Sequence, residues 1–193
     1  MSNPIPATDR RYTYQNYLSW SGPKRYELID GEAILTAGPS PTHQRISGRI
    51  HQQLMNFLEG KKFEAFAAPF DVRLFEEKID SPDEVDTVVQ PDITVICDRS
   101  RLDERGYRGA PETVIEILSP TSKRIDRLVK LNLYQRAKVK EYWIVSPEEK
   151  SVQVYLLDGD ILKPHEVYSA AEIAKVNRLD GCFVELGKVF SDE

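Results

Sequence analysis

A single acid interrupts an apolar run near the middle of this chain. Glu116 stands within Val114-Ile115-Glu116-Ile117-Leu118, which otherwise has the composition of a buried strand. A carboxylate taken out of water without compensation costs several kcal/mol, so it takes a partner, a proton or a metal. A second acid, Asp92, opens another β-rich run, Pro91-Asp92-Ile93-Thr94-Val95-Ile96. Strand side chains alternate between faces. Val114, Glu116 and Leu118 therefore share one face, and Asp92, Thr94 and Ile96 share another. If the two strands pair, the carboxylates converge.

The rest of the pattern surrounds these strands with a mixed α/β sheet flanked by helices. Tyr14 to Trp20 reads as a short helix. Tyr26-Glu27-Leu28-Ile29 and Glu32-Ala33-Ile34-Leu35 flank Asp30-Gly31, a strong hairpin signal. A helix is expected from Pro41 to Leu58, with Ser40 as N-cap, Pro41 as first helical residue, and Ile46, Ile50, Leu54 and Phe57 as its stripe. Strands are expected at 63–75, broken near Pro69, and at 92–97. An arginine-rich loop follows at 98–111, then a strand at 113–118. Ser119-Pro120-Thr121-Ser122 reads as the start of a helix running to about Ala137. Strands at 141–146 and 151–157 lead into a β-rich tail with turns at Asp158-Gly159 and Asp180-Gly181. A length of 193 residues suggests one domain.

Net charge is −5, which argues against coating nucleic acid by bulk positive charge. The window from Arg99 to Lys130 nevertheless holds eight cationic residues against five acids, and it brackets Glu116. No apolar stretch reaches a membrane span, and the start lacks signal-peptide features, so a cytoplasmic protein is expected. Cys97 and Cys182 are far apart and read as small apolar residues.

Two carboxylates on adjacent strands form an oxygen-ligand set suited to Mg²⁺ or Mn²⁺ rather than zinc. The bland alternatives are a strand-start turn acid at Asp92 and, at Glu116, a buried acid paired to an arginine. Lys130 shares an arc of its helix with Asp126, Leu133, Tyr134 and Ala137, which turns it toward the sheet; the alternative is a surface pair with Asp126. His43 lies one turn before the apolar stripe of its helix, placed either to touch a phosphate or to serve as a hydrogen-bonded structural residue. Glu27 reads as structural unless the hairpin packs over the site. Asp71 points away from Phe70, Val72 and Leu74. Dinucleotide-binding, P-loop, zincin and serine-elbow patterns are absent.

The ordered set Pro91-Asp92, Glu116-Ile117-Leu118-Ser119-Pro120-Thr121-Ser122, Asp126-x-x-x-Lys130-x-x-x-Tyr134 and Glu141-Tyr142-Trp143-Ile144-Val145 resembles the Uma-two family of putative restriction endonucleases, within the broad PD-(D/E)xK nuclease superfamily. The segment Tyr26-Glu27-Leu28-Ile29-Asp30-Gly31-Glu32 and His43 fit the same family, and the resemblance spans roughly residues 12 to 190. It implies a restriction-endonuclease-like core with a central four-stranded mixed sheet. It also implies Asp92 and Glu116 as metal-binding catalytic acids. The superfamily lysine expected two residues after the second acid is replaced by Leu118, and Lys130 is its natural substitute. These features lead to an expected Mg²⁺- or Mn²⁺-dependent endodeoxyribonuclease, with Arg105, Arg108, Lys123 and Arg127 on the DNA backbone. A homodimer is expected for cutting both strands. A catalytically inactive nucleic-acid-binding or interaction module with the same fold, and a nuclease acting on RNA, are the alternatives. A Glu116→Gln change is expected to stabilise the metal-free protein if Glu116 faces Asp92 alone. It should cost about 3 kcal/mol or more if Glu116 is a structural ion-pair partner.

Overall fold

The computed structural model describes residues 11–76, 81–82, 84–119 and 125–191. A short helix α1 (Tyr14–Ser19) precedes the hairpin β1 (Arg25–Ile29) and β2 (Glu32–Thr36). The turn between them places Asp30 at φ 48° and Gly31 at φ 79°. Two successive positive φ values match the right-handed twist of the flanking strands.

Helix α2 (Pro41–Leu58) follows, capped by Ser40, whose side chain accepts from the His43 N–H. Its buried stripe is Ile46, Ile50, Leu54 and Leu58; Phe57, expected in the stripe, is only partly buried. The segment expected as one broken strand at 63–75 is divided between two sheets, as β3 (Glu64–Ala67) and β4 (Val72–Arg73). The change of sheet falls at the Ala68–Pro69 peptide, which is cis.

Strand β5 (Ile93–Ile96) is followed by the segment expected as an arginine-rich loop, which is folded instead. It forms a helical turn at Arg99–Arg101 and strands β6 (Leu102–Asp103) and β7 (Gly106–Arg108). These pair with β4 in a small three-stranded sheet. Its buried cation is Arg73, 3.0 Å from Glu76 and 2.6 Å from Asp103.

Strand β8 (Thr113–Ile117) leads toward a helix with a π-helical turn at Ile125–Lys130 that tightens to α-helix at Leu131–Arg136, together α3. The predicted helix start at 120–122 lies outside the described residues. Strands β9 (Glu141–Ser146), β10 (Ser151–Asp158) and β11 (Ile161–Ser169) complete the large sheet. The β-rich tail closes with β12 (Ile173–Lys175), β13 (Phe183–Glu185) and the short helix α4 (Leu186–Val189).

The main sheet has six strands in the order β11-β10-β9-β8-β5-β3. Only β8 and β9 run parallel within it, so the sheet is mixed. One face carries Ile93, Val95, Ile115, Ile117, Trp143 and Val145 against α2 and the C-terminal segment. The opposite face carries Ile96, Val114, Leu118, Tyr142 and Ile144 against α3 and the small sheet. Glu116 shares the parity of Val114 and Leu118, so it enters this second layer. Among the described residues, no helix is long and apolar enough to cross a membrane.

Candidate functional site

The β5–β8 register pairs Ile93 with Ile115, and one further step sets Asp92 opposite Glu116. Asp92 lies just before its strand begins, and its carbonyl accepts the Ala68 N–H at 3.1 Å. Its Oδ2 accepts the Ile117 N–H at 2.7 Å, which ties the carboxylate to the edge of β8. His43, on the first turn of α2, places Nε2 3.1 Å from the same oxygen. A carboxylate only accepts, so that ring nitrogen carries the hydrogen.

Glu116 is 4 % exposed and does have a cationic partner, but it is a lysine rather than an arginine. Lys130 Nζ donates to Glu116 Oε1 at 2.8 Å. The same ammonium donates to Glu27 at 3.0 Å, from the hairpin side. Lys130 is 5 % exposed and Glu27 2 %. The hairpin does pack over the site, and Glu27 takes part in it. A buried lysine between two carboxylates carries one unit of positive charge against two negative.

Tyr134 and Gln90 complete the arrangement, and sequence reasoning did not single out either as a site residue. Tyr134 donates to Glu116 Oε1 at 2.6 Å. Burial first, and the Glu116 charge second, push its phenol well above its ordinary range, so it stays protonated and remains a donor. Its spacing of four from Lys130 on the inward arc was the available signal. Gln90 donates its N–H to Glu27 Oε1 at 2.8 Å and its side-chain amide to Asp71 Oδ1 at 2.7 Å. Asp71 also accepts from the hydroxyls of Tyr14 and Tyr17, so it faces the N-terminal helix rather than solvent. Nothing in the spacing around Gln90 announced that link, because its partners lie up to 73 residues away along the chain.

The hairpin is pinned to α3 outside the cavity as well. Arg136 donates to both oxygens of Asp30, at 3.0 and 2.6 Å. Those hydrogen bonds, more than the surrounding charge, hold the Asp30 carboxyl below its usual range.

Glu27, His43, Asp92, Glu116 and Lys130 all line one cavity of about 350 Å³ between the hairpin and α2. Of the cations expected on a DNA backbone, three fall among the described residues. Arg105, Arg108 and Arg127 do not line this cavity. Arg105 borders a separate hollow beside Tyr14 and Arg73. Arg108 donates to the Ser100 carbonyl at 3.0 Å, and Arg127 stands 3.5 Å from Glu149. Lys123 lies outside the described residues.

The donor set fits a hard divalent cation. Asp92 and Glu116 offer carboxylate oxygens from adjacent strands to one cavity. Mg²⁺ is characteristically held by one or two carboxylates, with water and phosphate completing its shell. Zinc fits poorly: the cavity has no cysteine, and its histidines already meet Asp92 and the Ala65 carbonyl. Among the described residues there is no group of three or more His, Cys, Asp or Glu placed to hold a metal ion, so water and phosphate would have to supply the rest of the shell.

Comparison with known proteins gives this arrangement a family context. The sequence model of Uma2, described as "Putative restriction endonuclease", matches residues 14–183. An uncharacterized protein of Synechocystis sp., slr1290, is 26 % identical over 162 residues, covering 82 % of this chain and 79 % of that protein. A second uncharacterized Synechocystis protein, sll1609, is 25 % identical over 161 residues, covering 81 % of this chain and 86 % of its own length. The crystal structure of a putative nuclease belonging to DUF820 from Anabaena variabilis superposes with a TM-score of 0.71 at 21 % identity. That superposition covers 92 % of this chain and 97 % of the other. The two share a fold: a mixed sheet flanked by helices.

Proposed function

The chain belongs to the Uma2 family, and on that footing we propose that it is a divalent-metal-dependent endodeoxyribonuclease. The observation that carries the proposal is the contact of Lys130 Nζ with Glu116 Oε1 at 2.8 Å, in the cavity that Asp92 also lines. A lysine on α3 thereby reaches the place that Leu118, two residues after Glu116, leaves without an ammonium.

Asp92 and Glu116 would hold Mg²⁺ or Mn²⁺, which when bound acidifies a water and offsets charge on the phosphate oxygens. Lys130 faces the same space. Its ammonium orients the attacking water and offsets the negative charge that builds on the phosphate oxygens as the bond to the leaving oxygen breaks. Glu27 and Glu116 hold that ammonium from two sides, so little reorganisation is needed when charge develops. Tyr134 fixes the rotamer of Glu116. The Ile117 N–H and His43 fix that of Asp92. Nicking one strand takes one such site; cutting both strands in one encounter takes two, as in a homodimer.

A plasmid-nicking assay with Mg²⁺, Mn²⁺ or EDTA tests the proposal. The expected result is metal-dependent cutting by the wild type that is lost in Asp92→Ala and Lys130→Met. Tight DNA binding without cutting, over a panel of DNA and RNA substrates, would overturn it and assign an inactive binding module. Cutting confined to RNA would keep the chemistry and change the substrate.

A further inference from the structure

Beyond the reacting centre, the cavity extends as an arm between β2 and the first half of α2. Ile34 and Pro39 line it from the hairpin side, and Ser47, Gly48 and Ala67 line it from α2 and β3. Gly48 lies inside a regular helix, where glycine is costly relative to alanine. No positive φ calls for it, and a Cβ built there would meet nothing within 4 Å. Neither backbone geometry nor neighbouring atoms require the glycine, which is exposed and lines the cavity, so a longer side chain there has room to extend over it. Ile34 stands opposite Glu27 in the hairpin register, so its side chain shares the hairpin face that carries Glu27 to the site.

Charge points the same way. The cations lining the cavity are Arg25 and Lys130, against the carboxylates of Glu27, Asp92 and Glu116. Lys130 is bound to two of those carboxylates, and Arg25 donates to Gln90. A protein that grips duplex through phosphates needs many cations on the backbone path. This cavity offers apolar walls instead. Its volume of about 350 Å³ lies near the lower end of the roughly 300–1,000 Å³ of sites that enclose a small organic molecule. Glu116 and Lys130 are almost fully buried, so a phosphate reaching them must descend between hairpin and helix.

Resting on the nuclease assignment above, we infer that the arm is a subsite for one unpaired nucleotide next to the scissile phosphate. The substrate class is single-stranded or locally unpaired DNA rather than continuous duplex. The base lies between Ile34 and Pro39 on one side and Ser47, Gly48 and Ala67 on the other, as extruded or single-stranded bases lie in other enclosed sites. Gln44 and Thr36 offer polar groups along the lining for the base edges.

The test separates binding from cutting. Anisotropy is measured with one fluorescent oligonucleotide, single-stranded and as matched duplex, on Asp92→Asn protein with and without Gly48→Leu. The single strand is expected to bind at least about tenfold more tightly than the duplex, and Gly48→Leu to remove about tenfold of that affinity. The slope of log Kd against log salt should correspond to about two phosphates or fewer. Thermal melting of the Gly48→Leu protein checks that the helix is intact. Equal affinity for duplex, or no effect of filling the arm in a folded protein, overturns the subsite. Wild-type cleavage of the same oligonucleotides is scored separately. Preferential binding without any cutting would leave the subsite standing and remove the nuclease assignment.

Discussion

Replacing Lys130 with methionine removes the positive charge while keeping the length of the side chain. In the folded protein the ammonium is 2.8 Å from Glu116 and 3.0 Å from Glu27, with all three side chains at most 6 % exposed. At an effective dielectric of about 20, each contact is worth roughly 6 kcal/mol of gross attraction, most of it offset by desolvation. Loss of the lysine turns a cluster of net charge −1 into one of −2. The two acceptor oxygens can be no more than about 6 Å apart, the sum of two contacts of about 3 Å, so their repulsion is roughly 3 kcal/mol on the same scale. Removing one member of a buried pair typically costs about 3–5 kcal/mol, and that loss is expected here. It would be a large share of a total stability of about 5–15 kcal/mol. Urea unfolding followed by the fluorescence of Trp20 and Trp143 measures it. Glu27→Gln in the Lys130→Met background returns the net charge to −1 and should recover about 1–2 kcal/mol, a non-additive result expected of groups in direct contact. A cost below about 1 kcal/mol for Lys130→Met, or strict additivity in the double variant, would refute the three-way cluster.

Asp92→Asn keeps an acceptor for the Ile117 N–H, so unfolding free energy should fall by only about 1–2 kcal/mol. Nicking by the same variant should fall on the order of 100-fold or more. Gly106→Ala would put a Cβ 2.1 Å from the Asp71 carbonyl oxygen at φ +115°, and should cost about 3 kcal/mol or more in a urea melt. Burial pushes Tyr107 up to about 12, and burial with the Asp71 charge pushes Tyr14 higher still. A raised folded-state value means this contribution is complete below the unfolded value of about 10 and is lost as pH rises through the folded values. The unfolding free energy from urea melts should therefore decline progressively above pH 10, by up to about 1.4 kcal/mol per tyrosine per pH unit. The Cys182 thiol is buried and pushed up to about 11, so a thiol reagent should label Cys97 in the native protein and Cys182 only after unfolding.

Elements with a local signature were legible in the sequence. The bounds of α2 follow from Ser40, Pro41 and the apolar stripe, and the hairpin follows from Asp30-Gly31. Alternation along β5 and β8 was enough to bring Asp92 and Glu116 together, and the inward arc of α3 was enough to turn Lys130 toward the sheet. What escaped was pairing between distant segments. The partner of Glu116 is a lysine that also holds Glu27, which no local pattern encodes. Stability of a Glu116→Gln variant consequently cannot separate a structural acid from a metal ligand, because Glu116 is both ion-paired and presented to the cavity. The arginines at 98–111 look like a basic loop when counted along the chain. Folding spends several of them on carboxylates of their own segment, as with Arg108 beside Asp103 and Arg101 beside Asp98.

The lysine held between Glu27 and Glu116 also bears on when the site comes into being. Its two contacts close loops of 103 and 14 residues along the chain, and the His43–Asp92 contact closes one of 49. The short loop can close as soon as α3 meets β8, while the long one waits for the hairpin to settle across the finished sheet. A chain still emerging from synthesis has its acids before it has its ammonium, and a partly folded chain can have the ammonium before Glu27 restrains it. The complete arrangement exists only once segments from both halves of the sequence have met.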